Sequence, residues 1–193
     1  MTLIKLPNVR FAYARWLLIW KEFGMPTLQW SDTLALGLPA MDDTHREFVD
    51  LLALVVDASD HALLPLWRDL VAHTDEHFAR EDRWMKDTGF SSTNCHTTQH
   101  QVVLQVMREG EKRGTGGELA VVRQMADELC NWFPMHAQAM DAALALHLRN
   151  QGYDEKTGVV NMPQARPAEL LHGCGGATCT PEDDPVPVTA AMA

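Results

Sequence analysis

The chain reads as an all-α protein, an antiparallel up-down four-helix bundle. Three observations predict it: four long stretches carry apolar residues at helical spacing, almost nothing alternates in the manner of a strand, and the links between the stretches are short.

The first helix is expected over about 42–57, where Phe48, Leu52, Val55 and Val56 continue a stripe that begins at His45. The second, about 64–87, opens near Pro65, which a helix start tolerates, and runs through Leu66, Leu70, His77, Glu81 and Met85 to a stop at Gly89. The segment SSTN at 91–94 offers N-caps for the third, about 94–112, whose inward line is His96, His100, Val103 and Met107. After the glycine-rich loop RGTGGE comes the fourth, about 118–149, striped by Leu119, Val122, Met125, Leu129, Phe133, His136 and Met140.

The ends differ in kind. Residues 1–24 read as an N-terminal extension outside the core, because Met25 begins a self-sufficient start to the domain at 25–150. Beyond NQGYDE the chain turns rich in Gly, Pro, Ala and Thr, so 151–193 reads as a flexible tail. No internal repeat is visible.

Composition narrows the function. A net charge of -10 and a pI near 5.2 argue against nucleic acid and against an anionic membrane surface, both of which call for a basic face. The apolar run WLLIW at 16–20, between Arg15 and Lys21, is far short of the roughly 18 residues that span a bilayer. Four scattered cysteines, Cys95, Cys130, Cys174 and Cys179, suit reduced thiols and a cytoplasmic location better than a disulfide scaffold.

The histidines carry the chemistry. A lone inward histidine is most often a hydrogen-bonded core residue, but here each of the four helices places at least one on its apolar stripe: His45, His77, His96 with His100, and His136. Burying them without partners would cost about 1–3 kcal/mol for each unsatisfied polar group. A shared metal cluster removes that cost. Residues four apart share a helix face, so HTTQH aims His96 and His100 at one site and HFARE aims His77 and Glu81 at one site. The five-residue step from His136 to Asp141 is no such spacing, and geometry alone does not select Asp141 over a solvated surface role.

The run of MDDTH, HFARE, a GF turn leading into HTTQH, and NWFPMHAQAMD resembles the bacterial hemerythrins over about residues 28–147. The resemblance implies two iron ions in an oxygen-bridged centre, with dioxygen as ligand. It assigns His96, His100 and His136 to a six-coordinate iron, His45 and His77 to an iron with an open position, and Glu81 and Asp141 as bridges between them. Two divalent ions about 3.5 Å apart repel by on the order of 20 kcal/mol at an effective dielectric of 20, which shared carboxylates offset. A histidine-rich set with two carboxylates leans toward oxygen binding, against the four glutamates and two histidines of ferritin-like sites.

An oxygen ligand needs a dry pocket, and Phe48, Phe78, Met85, Trp132 and Phe133 stand at offsets that would wall it; each would serve equally as plain core. Pro134 is expected to bend the fourth helix just before His136, and Ala137, smaller than the branched aliphatic usual in the family, to open the pocket. His73 reads as a support to the site and Cys95 as a structural thiol. His61 and His147 read as surface residues, and His172, Cys174 and Cys179 as a candidate metal or redox group in the tail. The expected function is reversible dioxygen binding for storage, delivery or sensing, with storage or delivery favoured because no signalling domain is visible. The rivals are a di-iron peroxidase or nitric-oxide-consuming enzyme, and an iron-handling protein.

Overall fold

The computed structural model describes residues 28–90 and 95–162. The 1–24 extension, the SSTN segment and the tail group of His172, Cys174 and Cys179 lie outside the described residues.

A 3-10 turn at Asp32–Leu34 leads into helix α1, Pro39–Val56, which starts earlier than about 42 because Pro39 fits the first helical turn. Asp42 locks the approach: its carboxylate accepts from the amides of Leu36 at 2.7 Å and Gly37 at 3.0 Å. Gly37 sits at φ +71, a conformation that a side chain would strain.

Helix α2, Asp60–Thr88, begins directly after Ser59, so Pro65 falls in its second turn and not at its start. Pro65 is exposed, and water can serve the His61 carbonyl that lacks its amide partner. Gly89, at φ +75, ends the helix in the left-handed conformation.

Helix α3, Cys95–Thr115, runs on past 112 with Gly110 and Gly114 facing inward. A methyl group at Gly110 would collide with Met125 and Trp67, and one at Gly114 with Leu64 and Val122. The two glycines therefore set how closely α3 approaches its neighbours. Trp67 fixes the same contact from α2, donating its indole N–H to the Met107 carbonyl at 3.0 Å inside the core.

The fourth stretch is not a single α-helix. Helix α4, Leu119–His136, passes through Pro134 without ending, and a π segment follows at Ala137–Asp141 before helix α5, Ala142–Asn150. The departure from α geometry thus comes after His136, where a bend had been expected before it. The Ala142 amide bonds to the Ala137 carbonyl five residues back, the hydrogen bond that defines a π turn.

Successive helices pack side by side, and α4 returns against α1 to close the bundle. The chain does not loosen at 151. Tyr153–Asp154 and Val159–Val160 form a two-stranded antiparallel hairpin, with Tyr153 opposite Val160. The hairpin is clamped to the bundle end. Glu155 accepts from the Ala40 amide at 3.0 Å, and Gln151, 1% exposed, donates to the Thr88 carbonyl at 2.9 Å. His147, expected at the surface, is buried and lies 3.2 Å from the same carbonyl through Nε2. Its place on α5 turns it toward the α2 terminus that the hairpin covers.

Two apolar clusters fill the interior. One joins Phe48, Leu52, Trp67, Leu70, Val122, Leu129 and Phe133; the other joins Met41, Trp84, Met85, Leu144, Leu148 and Tyr153. Along each of α1, α2 and the α4–α5 rod, the stretch between the two clusters carries buried polar side chains. That layer is where the histidines lie.

Candidate metal centre

All seven expected donors meet in this layer. His45, Glu81, His96 and Asp141 are 0% exposed, His100 1%, His77 2% and His136 3%. Burial so complete is unusual for ionisable groups and demands partners.

The two carboxylates stand at the middle. Glu81 lies 3.7 Å from His77 Nε2, 3.5 Å from His96 Nε2 and 3.3 Å from His100 Nε2. Asp141 lies 3.2 Å from His45 Nε2, 3.0 Å from His96 Nε2 and 3.1 Å from His136 Nε2. Close as they are, these nitrogens and all four carboxylate oxygens lack hydrogen-bond geometry and have no other partner. Buried donor atoms converging without bonding one another are what a metal pair would satisfy. The donors divide into two overlapping sets, Glu81, His96, His100, His136 and Asp141 in one, His45, His77, Glu81 and Asp141 in the other. Only the carboxylates belong to both.

Helix geometry explains the convergence. His77 with Glu81, and His96 with His100, are four apart on α2 and α3 and share a face. The π segment does the same for the five-residue step: one extra residue in the turn brings Asp141 under His136. This is how Asp141, which periodicity alone does not select, comes to be buried.

The electrostatics of the metal-free cluster set burial against neighbouring charge. Burial pushes the Glu81 carboxyl up and the Asp141 charge adds to that, yet the imidazoles of His77, His100 and His96 outweigh both and hold it below the usual range. Burial likewise opposes ionisation of Asp141, and His136, His45 and His96 overcome it. Burial lowers His96, but the facing carboxylates of Asp141 and Glu81 reverse this and raise it to about 10. The same contest leaves His45 and His100 raised. At His77 burial wins, and its pKa falls to about 4.

Around the donors stand two side chains that sequence reasoning missed. Asp82 Oδ1 accepts from His100 Nδ1 at 3.1 Å, and Gln99 Oε1 lies 3.3 Å from His136 Nδ1. Each sits next in sequence to a donor, where a helix turns it away from its neighbour's face; their reach across to another helix appears only in the folded chain. His73, by contrast, stays outside the donor set and approaches the Thr44 carbonyl at 3.2 Å.

The five aromatic and methionine candidates fall on different sides of the donors. Phe133 meets His45 edge-on at 5.1 Å and Phe48 stacks on Phe133 at 4.6 Å. Phe78 stacks flat on His100 at 3.9 Å, and Trp132 on His136 at 4.4 Å. Met85 belongs to the other apolar cluster with Met41 and Leu144, because it lies one turn beyond Glu81 and so on the far side of the polar layer from Phe78. Ala137 is fully buried within the Phe133 cluster.

Cys95 departs from expectation as well. It is disulfide-bonded, whereas Cys130 is free and half-buried.

Fold and donor set together define a metal-binding four-helix bundle protein. The family model for the hemerythrin HHE cation binding domain matches residues 36–155, and the chain belongs to the hemerythrin family. It is 37% identical over 132 residues to a bacteriohemerythrin of Ralstonia nicotianae, covering 68% of this chain and 96% of that protein. A bacteriohemerythrin of Pseudomonas paraeruginosa is 30% identical over 122 residues, 61% of this chain and 79% of its own length. One from Stenotrophomonas maltophilia is 25% identical over 142 residues, 69% of this chain and 92% of its own. No solved structure matches. Among the described residues, no helix is long and apolar enough to cross a membrane.

Proposed function

We propose that the centre holds two irons in an oxygen-bridged pair and binds dioxygen reversibly, for storage, delivery or sensing. The observation that carries this reading is the pair of overlapping donor sets, three histidines and two histidines, sharing Glu81 and Asp141. His96, His100 and His136 hold one iron, His45 and His77 the other, and the two carboxylates hold the pair together against its own repulsion. A reduced iron pair supplies the electrons that dioxygen binding draws on. The chain's own part is to fix the imidazoles and to keep water out. Asp82 and Gln99 orient two imidazoles of the three-histidine set. Phe48 and Phe133 dry the His45 side and carry no proton to give, which favours release of dioxygen intact over its breakdown.

The test is to cycle reduced protein between air and an oxygen-free atmosphere while following its visible spectrum. Reversal over several cycles, with negligible turnover of hydrogen peroxide or nitric oxide, supports the carrier. Irreversible change with rapid turnover of either would overturn it in favour of an enzyme. Reversible iron uptake without any response to dioxygen would favour an iron-handling protein.

A further inference from the structure

On the side of α2 turned away from the core, Glu76, Ala79, Arg80 and Arg83 line a cavity of about 330 Å³. Residues three and four apart share a helix face, so both arginines border the same space. These two differ from the other arginines. Among the described residues, Arg46, Arg68, Arg108, Arg113 and Arg123 each pair with a carboxylate, and Arg149 donates to the Leu36 carbonyl. Arg80 and Arg83 do neither, although acids stand one turn away. Glu76 lies four residues before Arg80 without pairing with it, and Asp87, four after Arg83, accepts instead from the Tyr153 hydroxyl at 3.4 Å. Glu155, near enough to feel the Arg80 charge, gives its carboxylate to the Ala40 amide. Arg80 Nε is buried with no hydrogen-bond partner. A cation that loses water without gaining an anion is costly, and an anion in the cavity removes that cost.

We propose that Arg80 and Arg83 form a binding site for a small organic phosphate that carries a hydroxyl group. The number of acceptor atoms selects phosphate. One guanidinium fork takes both oxygens of a carboxylate, whereas a phosphate monoester has three terminal oxygens and accepts from two forks at once. Two guanidinium charges also match a phosphate dianion. The cavity volume is at the lower end of small-molecule sites, which leaves room beside the phosphate for a few carbon atoms against the Ala79 methyl. Glu76 borders the same space, one turn from Arg80 and two from Arg83. Its carboxylate accepts from the ligand's hydroxyl and repels a second anionic group there, so the site takes a monophosphate in preference to a bisphosphate. The same turn of α2 carries His77 and Glu81 on its inner face. Binding uses none of the seven donors, so the site stands apart from the metal reading.

The test is calorimetric titration of the full-length protein at fixed ionic strength with glycerol 3-phosphate, ribose 5-phosphate, inorganic phosphate and citrate. Saturable binding of at least one of the two organic phosphates at one site per chain is expected, with inorganic phosphate weaker. Arg80→Gln and Arg83→Gln should each weaken it by roughly tenfold or more, since each removes charge-assisted hydrogen bonds. Ala79→Leu fills the cavity from an exposed position without changing charge and should abolish binding. Arg68→Gln, which breaks only the exposed pair with Glu111, should leave it unchanged. Absence of saturable binding, binding that survives both arginine variants, or an equal loss in Arg68→Gln would overturn the site. Citrate or inorganic phosphate binding more tightly than both organic phosphates would overturn the ligand class. Sedimentation with phosphatidylglycerol vesicles, lost in Arg80→Gln and without heat from either soluble organic phosphate, would overturn the soluble ligand in favour of a lipid headgroup.

Discussion

His136 Nε2 and Asp141 Oδ1 stand 3.1 Å apart although five residues separate them on one continuous rod. The π segment makes the contact, and through it Asp141 reaches His45 on α1 as well as His96 on α3. A side chain so placed is common property of both donor sets, which separates it from any single histidine.

Removing a shared donor should therefore empty both positions. In Asp141→Asn, and likewise in Glu81→Ala, iron is expected to fall from about two per chain to well under one, because metal repulsion returns. In His136→Ala or His45→Ala, one set stays intact and about one iron should remain. Elemental analysis of the purified variants decides it. Retention of two irons in either carboxylate variant would remove its bridging role.

The metal-free protein should be most stable near pH 6.5. His96 is raised to about 10 in the fold, so its contribution is complete below about 6.5 and is lost as pH climbs toward 10; His45 and His100 act with the same sign. His77, lowered to about 4, works the other way, and its contribution is lost as pH falls from 6.5 toward 4. Glu81 and Asp141, held below their ordinary range, add to the acid-side loss. Urea midpoints at pH 5, 6.5 and 9 should peak in the middle. With metal bound the alkaline loss should disappear, since the imidazoles then carry metal in place of protons.

Asp82 supplies a comparison between two acidic residues. Asp82→Asn keeps an acceptor near His100 but removes its charge, and metal release to a chelator should quicken by roughly tenfold. Asp75→Asn breaks the exposed pair with Arg108, worth about 0–1 kcal/mol, and should leave metal release unchanged. Equal behaviour of the two would assign Asp82 no part at the centre.

The hairpin predicts where the domain can be cut. Under reducing conditions a chain of residues 28–162 should match the full protein in urea, whereas 28–150 should lose about 3–5 kcal/mol. The shorter chain forfeits Tyr153 from the second cluster and the bonds of Gln151 and Glu155 to the bundle. Equal midpoints would return residues 151–162 to the status of a dispensable tail.

Much of this was legible before folding. Four helices follow from apolar stripes, since a buried face must repeat at 3.6 residues whatever it touches. Five imidazoles on those stripes betray a shared partner. Asp141 escapes such reading because a π turn needs only one residue beyond the regular period and leaves no mark in composition. Hairpin residues 151–162 escape it because two-residue strands are too short to alternate, and their hold comes from single contacts such as Glu155 to Ala40. Met85 shows a simpler limit. Helical offset gives the face of a side chain but not which side of the polar layer it falls on.

The orphaned donor atoms of the centre have a consequence for the protein's lifetime. A core that closes around unsatisfied imidazoles and carboxylates is weaker by the cost of each, and a bound metal returns that deficit as folding free energy in proportion to the logarithm of its free concentration. The unfolded fraction, and with it exposure to proteolysis, then rises as metal becomes scarce. On the two-iron reading proposed above, cells depleted of iron would clear this chain without any change in its synthesis, so that its abundance itself becomes a gauge of supply.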